Sequence, residues 1–323
     1  MPERSHHHVP RAVLSATAST RGVSVDRSGK VRRFGVRPIV VGYDGTPASD
    51  AAARWAAGAA QRLGRGMRMV QVIPWPALRG SGSAAVALGA DALGRAAERL
   101  LDKACRDIRR RHPEVEIDAE VLIGDPVPVL LREAAGGSLL VLGSRGLGEL
   151  REVAVGSVMA HIATHATSPV IVVPADWRPQ PDRPRQVVVG VDGSVESWNA
   201  IAFGFEFAEQ TGAAVTAVLA WHDPTSTGPG DMLFPVHDLD VLAEDSAVVL
   251  SEAVAGQAVD HPDVKVTEKL VHGTPAKALE EASREADLLV VGSRGRGRIR
   301  GFLLGSVSRA VLHHATCPVA VVR

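Results

Sequence analysis

Gly143-Ser-Arg-Gly146, then nine residues, then Gly156-Ser157 and a β-branched run to Val173 make a segment that the chain writes twice. Residues 143–173 return without a gap as 292–322, with 16 of 31 positions identical. Working outward, Ile39-Val-Val-Gly-Tyr-Asp-Gly-Thr46 returns as Val187-Val-Val-Gly-Val-Asp-Gly-Ser194, and Gly124-Asp-Pro126 as Gly273-Thr-Pro275. A repeat of this length is a duplicated domain. The expected division is a first domain over 38–174, a linker over 175–185 and a second domain over 186–323. Prolines and charges make that linker extended and semi-rigid.

Within each copy, short Val-rich runs alternate with helical stretches. In the first copy the strands are expected at about 38–44, 67–73, 115–122, 138–143 and 169–174, with helices at about 47–64, 90–111, 127–136 and 157–166. Strands lacking polar alternation belong to a sheet covered on both faces. Strand–helix alternation then implies right-handed crossovers and a parallel sheet. The prediction is an α/β chain of two doubly wound, five-stranded parallel-sheet domains.

Composition narrows the function classes. Lys+Arg and Asp+Glu both number 36, so no global charge draws the chain to nucleic acid or an acidic membrane. With 46% apolar and 22% charged residues the chain reads as globular. No apolar run is long enough for a spanning helix. Two cysteines, Cys105 and Cys317, make no disulfide framework, which points to a reducing, cytoplasmic setting. Residues 1–37, rich in Arg, Ser and His, lack an apolar period and are expected to be a disordered leader.

In open α/β sheets, ligands bind beyond the carboxyl ends of the strands, where the strand order reverses. The first strand of each copy ends in Asp44 or Asp192, and the fourth runs into Gly143-Ser144-Arg145-Gly146 or Gly292-Ser293-Arg294-Gly295. Gly143 and Gly146 let backbone N–H groups approach an anion that a Cβ would hold off. Ser157, after Gly156, is the expected N-cap of a helix whose unpaired N–H groups and dipole favour phosphate. Arg145 and Arg294 add positive charge beside the turn.

The pattern G-x2-G-x9-G-[ST], following an early strand that ends in Asp, resembles the universal stress protein family in its ATP-binding subgroup, and its presence in both copies resembles the tandem-domain members. The resemblance implies strand order 3-2-1-4-5, the adenine nucleotide alpha hydrolase-like arrangement, with ATP between the first and fourth strands. By position, it places Gly42 and Asp44, and Gly190 and Asp192, beside ribose and phosphates. Val72 and Ala220 would hold adenine through main-chain groups. Gly143, Gly146, Gly156, Ser157 and Val158 would wrap the phosphates, as would Gly292, Gly295, Gly305, Ser306 and Val307. Gly124 and Gly273 would line the mouth. Asp44 and Asp192 are the acids placed to hold magnesium on bound phosphates. In the family the fifth strand often forms the dimer contact. An intramolecular pseudo-dimer is therefore expected, with a homodimer as a further arrangement.

The copies also differ. Arg296, Arg298 and Arg300 follow the second turn where Glu149 and Glu152 follow the first, so tighter or more salt-sensitive nucleotide binding is expected in the second copy. Asp287, which opens the fourth strand there, is Ser138 in the first. No Walker A loop, helix-opening G-x-G-x-x-G, HExxH or CxxC is present. His161 and His165 lie one helical turn apart, but His161 is Ala310 in the second copy, which argues against a metal pair.

With no evident general base, the leading expectation is a nucleotide-binding regulator rather than an enzyme, acting in stress response or growth control. A slow ATPase or self-phosphorylating kinase, using Ser144, Ser157, Ser293 or Ser306, is a second reading. An interaction scaffold with structural nucleotide, pairing through PVIVV (169–173) or PVAVV (318–322), is a third. AMP or a cyclic nucleotide stands beside ATP as the ligand.

Overall fold

The computed structural model describes residues 22–25, 31–34, 36–74, 83–144, 157–180, 183–221, 239–295 and 304–323. In the first half, β3 (Ile39–Gly42), β4 (Met67–Pro74), β5 (Ile117–Gly124), β6 (Leu139–Gly143) and β7 (Val170–Val173) alternate with α1 (Pro47–Leu63), α2 (Ser83–Arg111), α3 (Pro126–Gly136) and α4 (Ser157–His165). The second half repeats this as β8 (Gln186–Val191), β9 (Ala214–Trp221), β10 (Val266–His272), β11 (Leu288–Gly292) and β12 (Val319–Val322), with α5 (Val195–Thr211), α6 (Leu239–Asp260), α7 (Pro275–Ser283) and α8 (Ser306–His314). Each half has spatial order third-second-first-fourth-fifth, all parallel, as expected.

The halves join through their fifth strands. β7 and β12 pair antiparallel, making one ten-stranded sheet. Ile171 lies opposite Ala320, its own counterpart in the repeat, so a pseudo-twofold axis passes through that pair. The two runs read as possible pairing edges are thus central strands, and β5 and β10 are the edges. Both edges carry charge, Asp118 and Glu120 on one and Glu268 and Lys269 on the other, which discourages further strand addition.

Local chemistry sets the helix that opens each half. Thr46 and Ser194 cap α1 and α5, their hydroxyl oxygens accepting from the Ser49 and Ser197 amides at 3.2 Å. Both helices end at a left-handed glycine, Gly64 (φ 59°) or Gly212 (φ 66°). Alanines 51–53, 56, 57, 59 and 60 of α1 are buried, and their small side chains let the helix lie close on the sheet. One apolar layer, on the α1/α2/α5/α6 face, runs unbroken across both halves. Trp55 and Phe207 stack across the seam at 6.1 Å.

Two details depart from expectation. The segment read as a disordered leader contains an antiparallel pair, β1 (Gly22–Val25) with β2 (Val31–Phe34). Its valines alternate with polar residues around Asp26-Arg-Ser-Gly-Lys30, a short hairpin pattern too brief to register as a sustained period. The α2 helix begins at Ser83 rather than near 90, because the Ala-rich stretch before Gly94 is itself a good helix former.

Candidate nucleotide-binding crevice

The first and fourth strands of each half lead into turns that meet at the carboxyl rim of the sheet. After β8, Asp192 Oδ1 accepts from the Ser194 amide at 2.9 Å and the Ser194 hydroxyl at 2.6 Å. Gly193 between them has φ 73°, which glycine adopts without strain. Asp44 does the same in the first half, accepting from the Thr46 amide at 3.0 Å and its hydroxyl at 2.6 Å, with Gly45 at φ 80°. Each aspartate therefore shapes its own turn before meeting any ligand.

Beyond β11, the Ser293 amide donates to Val322 O at 2.7 Å and Ser293 O accepts from the Gly305 amide at 2.9 Å. A Cβ on Gly292 would lie 2.9 Å from the Glu196 backbone, and one on Gly295 would collide with Asp192 Oδ2. Asp192 Oδ2 thus lies against the Gly295 turn, across the crevice between the first and fourth strands. Gly305 is the N-cap of α8 and Ser306 its first helical residue, and Ser157, expected as a cap, is likewise the first helical residue of α4. Glycine at the N-cap offers no capping side chain, which leaves the opening N–H groups and dipole of α8 to an anion. Ser308, one turn in, donates instead to Gly292 O at 2.6 Å and ties the helix to the strand end.

Over this rim lies a cavity of about 690 Å3, within the size range of small-molecule sites. Of the residues singled out in the second copy, Gly190, Asp192, Ala220, Gly292, Arg294, Gly295, Gly305, Ser306 and Val307 line it. Gly273 and Ser293 do not. Ser293 is buried, 2% exposed. Gly273, at φ 141°, turns the chain after β10, its amide donating to Trp221 O at 2.8 Å.

Sequence reasoning missed the helix above the rim. Leu242, Asp245, Ser246 and Val249 of α6 line the cavity, as does Trp221 at the end of β9. Their i, i+3, i+4, i+7 spacing marks one helix face, but spacing alone does not say that this face overhangs a ligand site.

In the first copy Gly42, Asp44, Val72, Gly124, Gly143 and Ser144 occupy the matching strand ends. A Cβ on Gly42 would strike the Leu142 side chain of β6, so Gly42 makes room within the sheet, while one on Gly143 would come 2.5 Å from the Ala48 backbone, so Gly143 lets α1 approach the sheet. Gly124, whose added Cβ would meet the Val129 side chain at 2.9 Å, lacks the positive φ of Gly273. Ser144 donates its amide to Val173 O at 2.8 Å. Arg145, Gly146 and Gly156 lie outside the described residues. Ser157 and Val158 open α4, and only their backbone is described. Glu149, Glu152, Arg296, Arg298 and Arg300 also lie outside the described residues.

Other candidates have structural accounts. His161 and His165 stack at 5.4 Å, and His165 Nδ1 sits 2.8 Å from His161 O, inside the last turn of α4. Burial raises the Cys105 thiol above its usual range and pushes Cys317 up to about 12, so neither is a thiolate nucleophile at neutral pH. Among the described residues no cluster of three metal-ligating side chains occurs, and no helix is long and apolar enough to cross a membrane.

Comparison with known proteins agrees with this geometry. The model of the universal stress protein family matches residues 35–174 and again 184–323. The chain is 34% identical over 291 residues to universal stress protein Rv2005c of Mycobacterium tuberculosis, covering 88% of this chain and 96% of that protein. It is also 34% identical over 305 residues to universal stress protein Rv1996 of the same organism, covering 88% and 94%. A universal stress protein from Archaeoglobus fulgidus shares the fold, with a TM-score of 0.66 over 88% of this chain and 98% of that one at 21% identity. The chain is a tandem-domain member of the universal stress protein family.

Proposed function

We propose that the protein is a nucleotide-binding regulator, each half holding an adenine nucleotide, ATP foremost, whose occupancy biases domain packing or partner choice in stress response or growth control. The carrying observation is the closure of Asp192 against Gly295 beneath a cavity of about 690 Å3 that ends on the uncapped start of α8. Backbone amides and Arg294 make one end of the cavity anion-seeking. Trp221, Leu242 and Val249 make the other end apolar, as a purine requires. Phosphates then lie at Gly295, Gly305 and Ser306, with the base toward Ala220 and Trp221. Asp192, and Asp44 in the first half, would hold magnesium brought in on the phosphates.

A binder is favoured over a catalyst because the described lining holds no His, Lys, Cys or Tyr. Of its two carboxylates, Asp192 is engaged by Ser194 through Oδ1, and Asp245 lies on α6, away from the proposed phosphate end at Gly295, Gly305 and Ser306. Of the acceptors a self-phosphorylating kinase would use in the second half, Ser306 is exposed and lines the cavity, whereas Ser293 is buried and does not line it. Two free, buried thiols suit a reducing compartment, and the cytoplasm is the setting we infer.

Denaturing the purified protein and identifying the released nucleotide by chromatography tests this reading. The expected result is adenine nucleotide approaching two per chain, falling by about half on Gly295→Val. Absence of nucleotide, together with no binding of added ATP, AMP or cyclic AMP, overturns it. Mass spectrometry after incubation with Mg·ATP is expected to show no added phosphate.

A further inference from the structure

With the fifth strands paired to each other and both edge strands charged, further association falls to the helical faces. On one face α2, α1, α5 and α6 lie side by side in that order, so α2 and α6 are its outer helices, at opposite ends. Their inward residues correspond. Leu101, Ala104 and Cys105 of α2 match Leu250, Ala253 and Val254 of α6, and all six are buried. Their outward residues do not correspond. α2 exposes Arg95, Arg99, Lys103, Arg106 and Arg110, whereas α6 exposes Glu244, Val248, Glu252, Ala255 and Val259 at the same places in the repeat.

Each of these outward cations of α2 is therefore an acid or an apolar residue on α6. Val248 is 56% exposed and Val259 81%. With Val241 and Ala255 they form a stripe down the solvent side of α6, and a helix that is apolar on both sides belongs against a second surface. Asp240, Glu244, Asp245, Glu252 and Asp260 accompany the stripe, and α6 has no Lys or Arg. Glu268 of β10, accepting from the Ser251 hydroxyl at 2.6 Å, adds a carboxylate beside it. α2 has seven Lys and Arg against four Asp and Glu. The inner helices repeat these signs more weakly, with Asp50 beside Arg54 on α1 and Glu209 of α5 against His261. The chain as a whole is neutral, so this face is polarised from one end to the other.

We propose that this face docks a second copy of the chain, α2 of each copy lying antiparallel on α6 of the other. The copies are related by a twofold axis parallel to the strands, over the α1/α5 seam. Within one chain α2 and α6 run in opposite directions, because the pseudo-twofold relates them. Rotation about an axis along the strands keeps those directions and exchanges the ends. One closed dimer thus satisfies both polarised ends, and the same contact occurs twice. Long basic side chains lay their stems on apolar surface while their charged heads reach carboxylates, which suits Arg99, Lys103 and Arg106 to the α6 stripe and its acids. Pairing α6 with α6 would set acid against acid. Within one chain the competing occupants are the basic leader over 1–37 and the Met232-Leu-Phe-Pro-Val236 run ahead of α6.

Sedimentation of the full chain over a concentration series, at low and high salt, tests this. A monomer–dimer equilibrium that weakens as salt is raised is expected. R99E/R106E and, separately, E244R/E252R should each raise the dimer dissociation constant by about tenfold or more, since every change counts twice in a twofold contact. Combining all four substitutions should restore the dimer, and V248S/V259S should weaken it with little change in salt dependence. Circular dichroism and melting temperature check that each variant is folded. A wild type that stays monomeric overturns the proposal, as an in-chain occupant of the α6 face would produce. So does a dimer that persists in folded R99E/R106E or tightens with salt, the behaviour of apolar α6–α6 pairing. Open polymers in place of a dimer, or failure of the combined exchange to restore it, overturn it as well.

Discussion

The two halves share one backbone plan but differ in what they place inside it. In the first, Arg68 on β4 is 8% exposed and bridges Asp118 at 2.5 Å, Glu120 at 2.6 Å and Glu133 at 2.7 Å. Burial works against that guanidinium, but its hydrogen bonds to Glu133 and Glu120 more than offset this and hold it above its ordinary range. The second half has Thr216, Thr267, Lys269 and Ala282 at those positions. Another exchange is conservative in function though not in chemistry. Ser138 donates its hydroxyl to Pro38 O, whereas Asp287 accepts from the Gln186 amide, since proline has no N–H to offer and glutamine does. Duplication preserved the backbone bonds, and each side-chain change follows what its own neighbour donates or accepts.

The sharpest way to break this comparison is to remove one charge. Arg68→Met would leave three carboxylates facing one another with little solvent, a class of change that costs about 3–5 kcal/mol. In the second half, Thr216→Val removes only the hydroxyl that accepts from Gln186 Nε2 at 2.6 Å, worth about 1 kcal/mol. Urea unfolding of the two variants measures both losses. Equal losses would show that the first half does not depend on its buried ion cluster.

Glycines at the strand ends give the next largest effect and separate packing from binding. Gly143→Ala brings a Cβ to 2.5 Å from the Ala48 backbone, while Gly292→Ala brings one to 2.9 Å from that of Glu196. Overpacking of this kind costs about 1–3 kcal/mol. The first-half variant is expected at the upper end and the second-half variant at the lower, read from unfolding midpoints. Gly295→Ala differs from both because it meets the Asp192 carboxylate, whose Oδ1 is held by Ser194, rather than backbone. Its expected signature is weakened nucleotide binding with a smaller loss of stability than either.

These contrasts mark where the sequence was legible. The repeat, the Val-rich runs and the Asp-Gly turns specify the two five-stranded halves of the sheet and the rim, because backbone register and turn chemistry are local. The glycine pattern correctly located the fourth-strand turns but merged two roles. Gly143 lets α1 lie on the sheet and Gly42 makes room for Leu142 of the adjacent strand, and only the folded neighbours reveal that. The α6 contribution was hidden for a similar reason. Leu242 and Val249 read as ordinary apolar helix positions, and Asp245 and Ser246 as solvated ones, until α6 is seen above the rim of β8 and β9. Ser293 followed the family pattern yet lies buried, tied by its backbone to Val322 and Gly305.

The α6 face sharpens the comparison at the ligand itself. Leu93, Ala96, Ala97 and Leu100 of α2 are the counterparts of Leu242, Asp245, Ser246 and Val249. At these four positions the second half offers a carboxylate and a hydroxyl and the first offers neither, and a carboxylate accepts hydrogen bonds from a base amino group or a ribose hydroxyl. Under the proposed function, Asp245→Ala is expected to weaken ATP binding at the second site by about threefold to tenfold, up to about 1.4 kcal/mol. Ala96→Asp should strengthen the first site by less, since Leu93 and Leu100 flank it with exposed apolar surface, 42% and 45%. Inosine triphosphate and deoxyadenosine triphosphate, titrated against each variant, identify which donor is read. A variant that lowers affinity for all three nucleotides alike points to the shape of the crevice rather than to a hydrogen bond.

The smallest expected difference is electrostatic. The second phosphate turn is followed by Arg296, Arg298 and Arg300, the first by Glu149 and Glu152, so their fields on a bound triphosphate have opposite sign. Interactions between charges across water are screened over about 8–10 Å at physiological salt, so the effect is expected to be a few-fold near 0.15 M. It should grow as salt is lowered, because the screening length lengthens to about 30 Å at 0.01 M. Single-site chains, each with the other crevice blocked by valine at Gly146 or Gly295, allow the two affinities to be followed across a salt series. The second site should lose affinity on salt addition more steeply than the first, and R296Q/R298Q/R300Q should bring the slopes together. Parallel slopes in the parent single-site chains would mean that backbone amides and helix dipoles, which the two halves share, outweigh the loop charges.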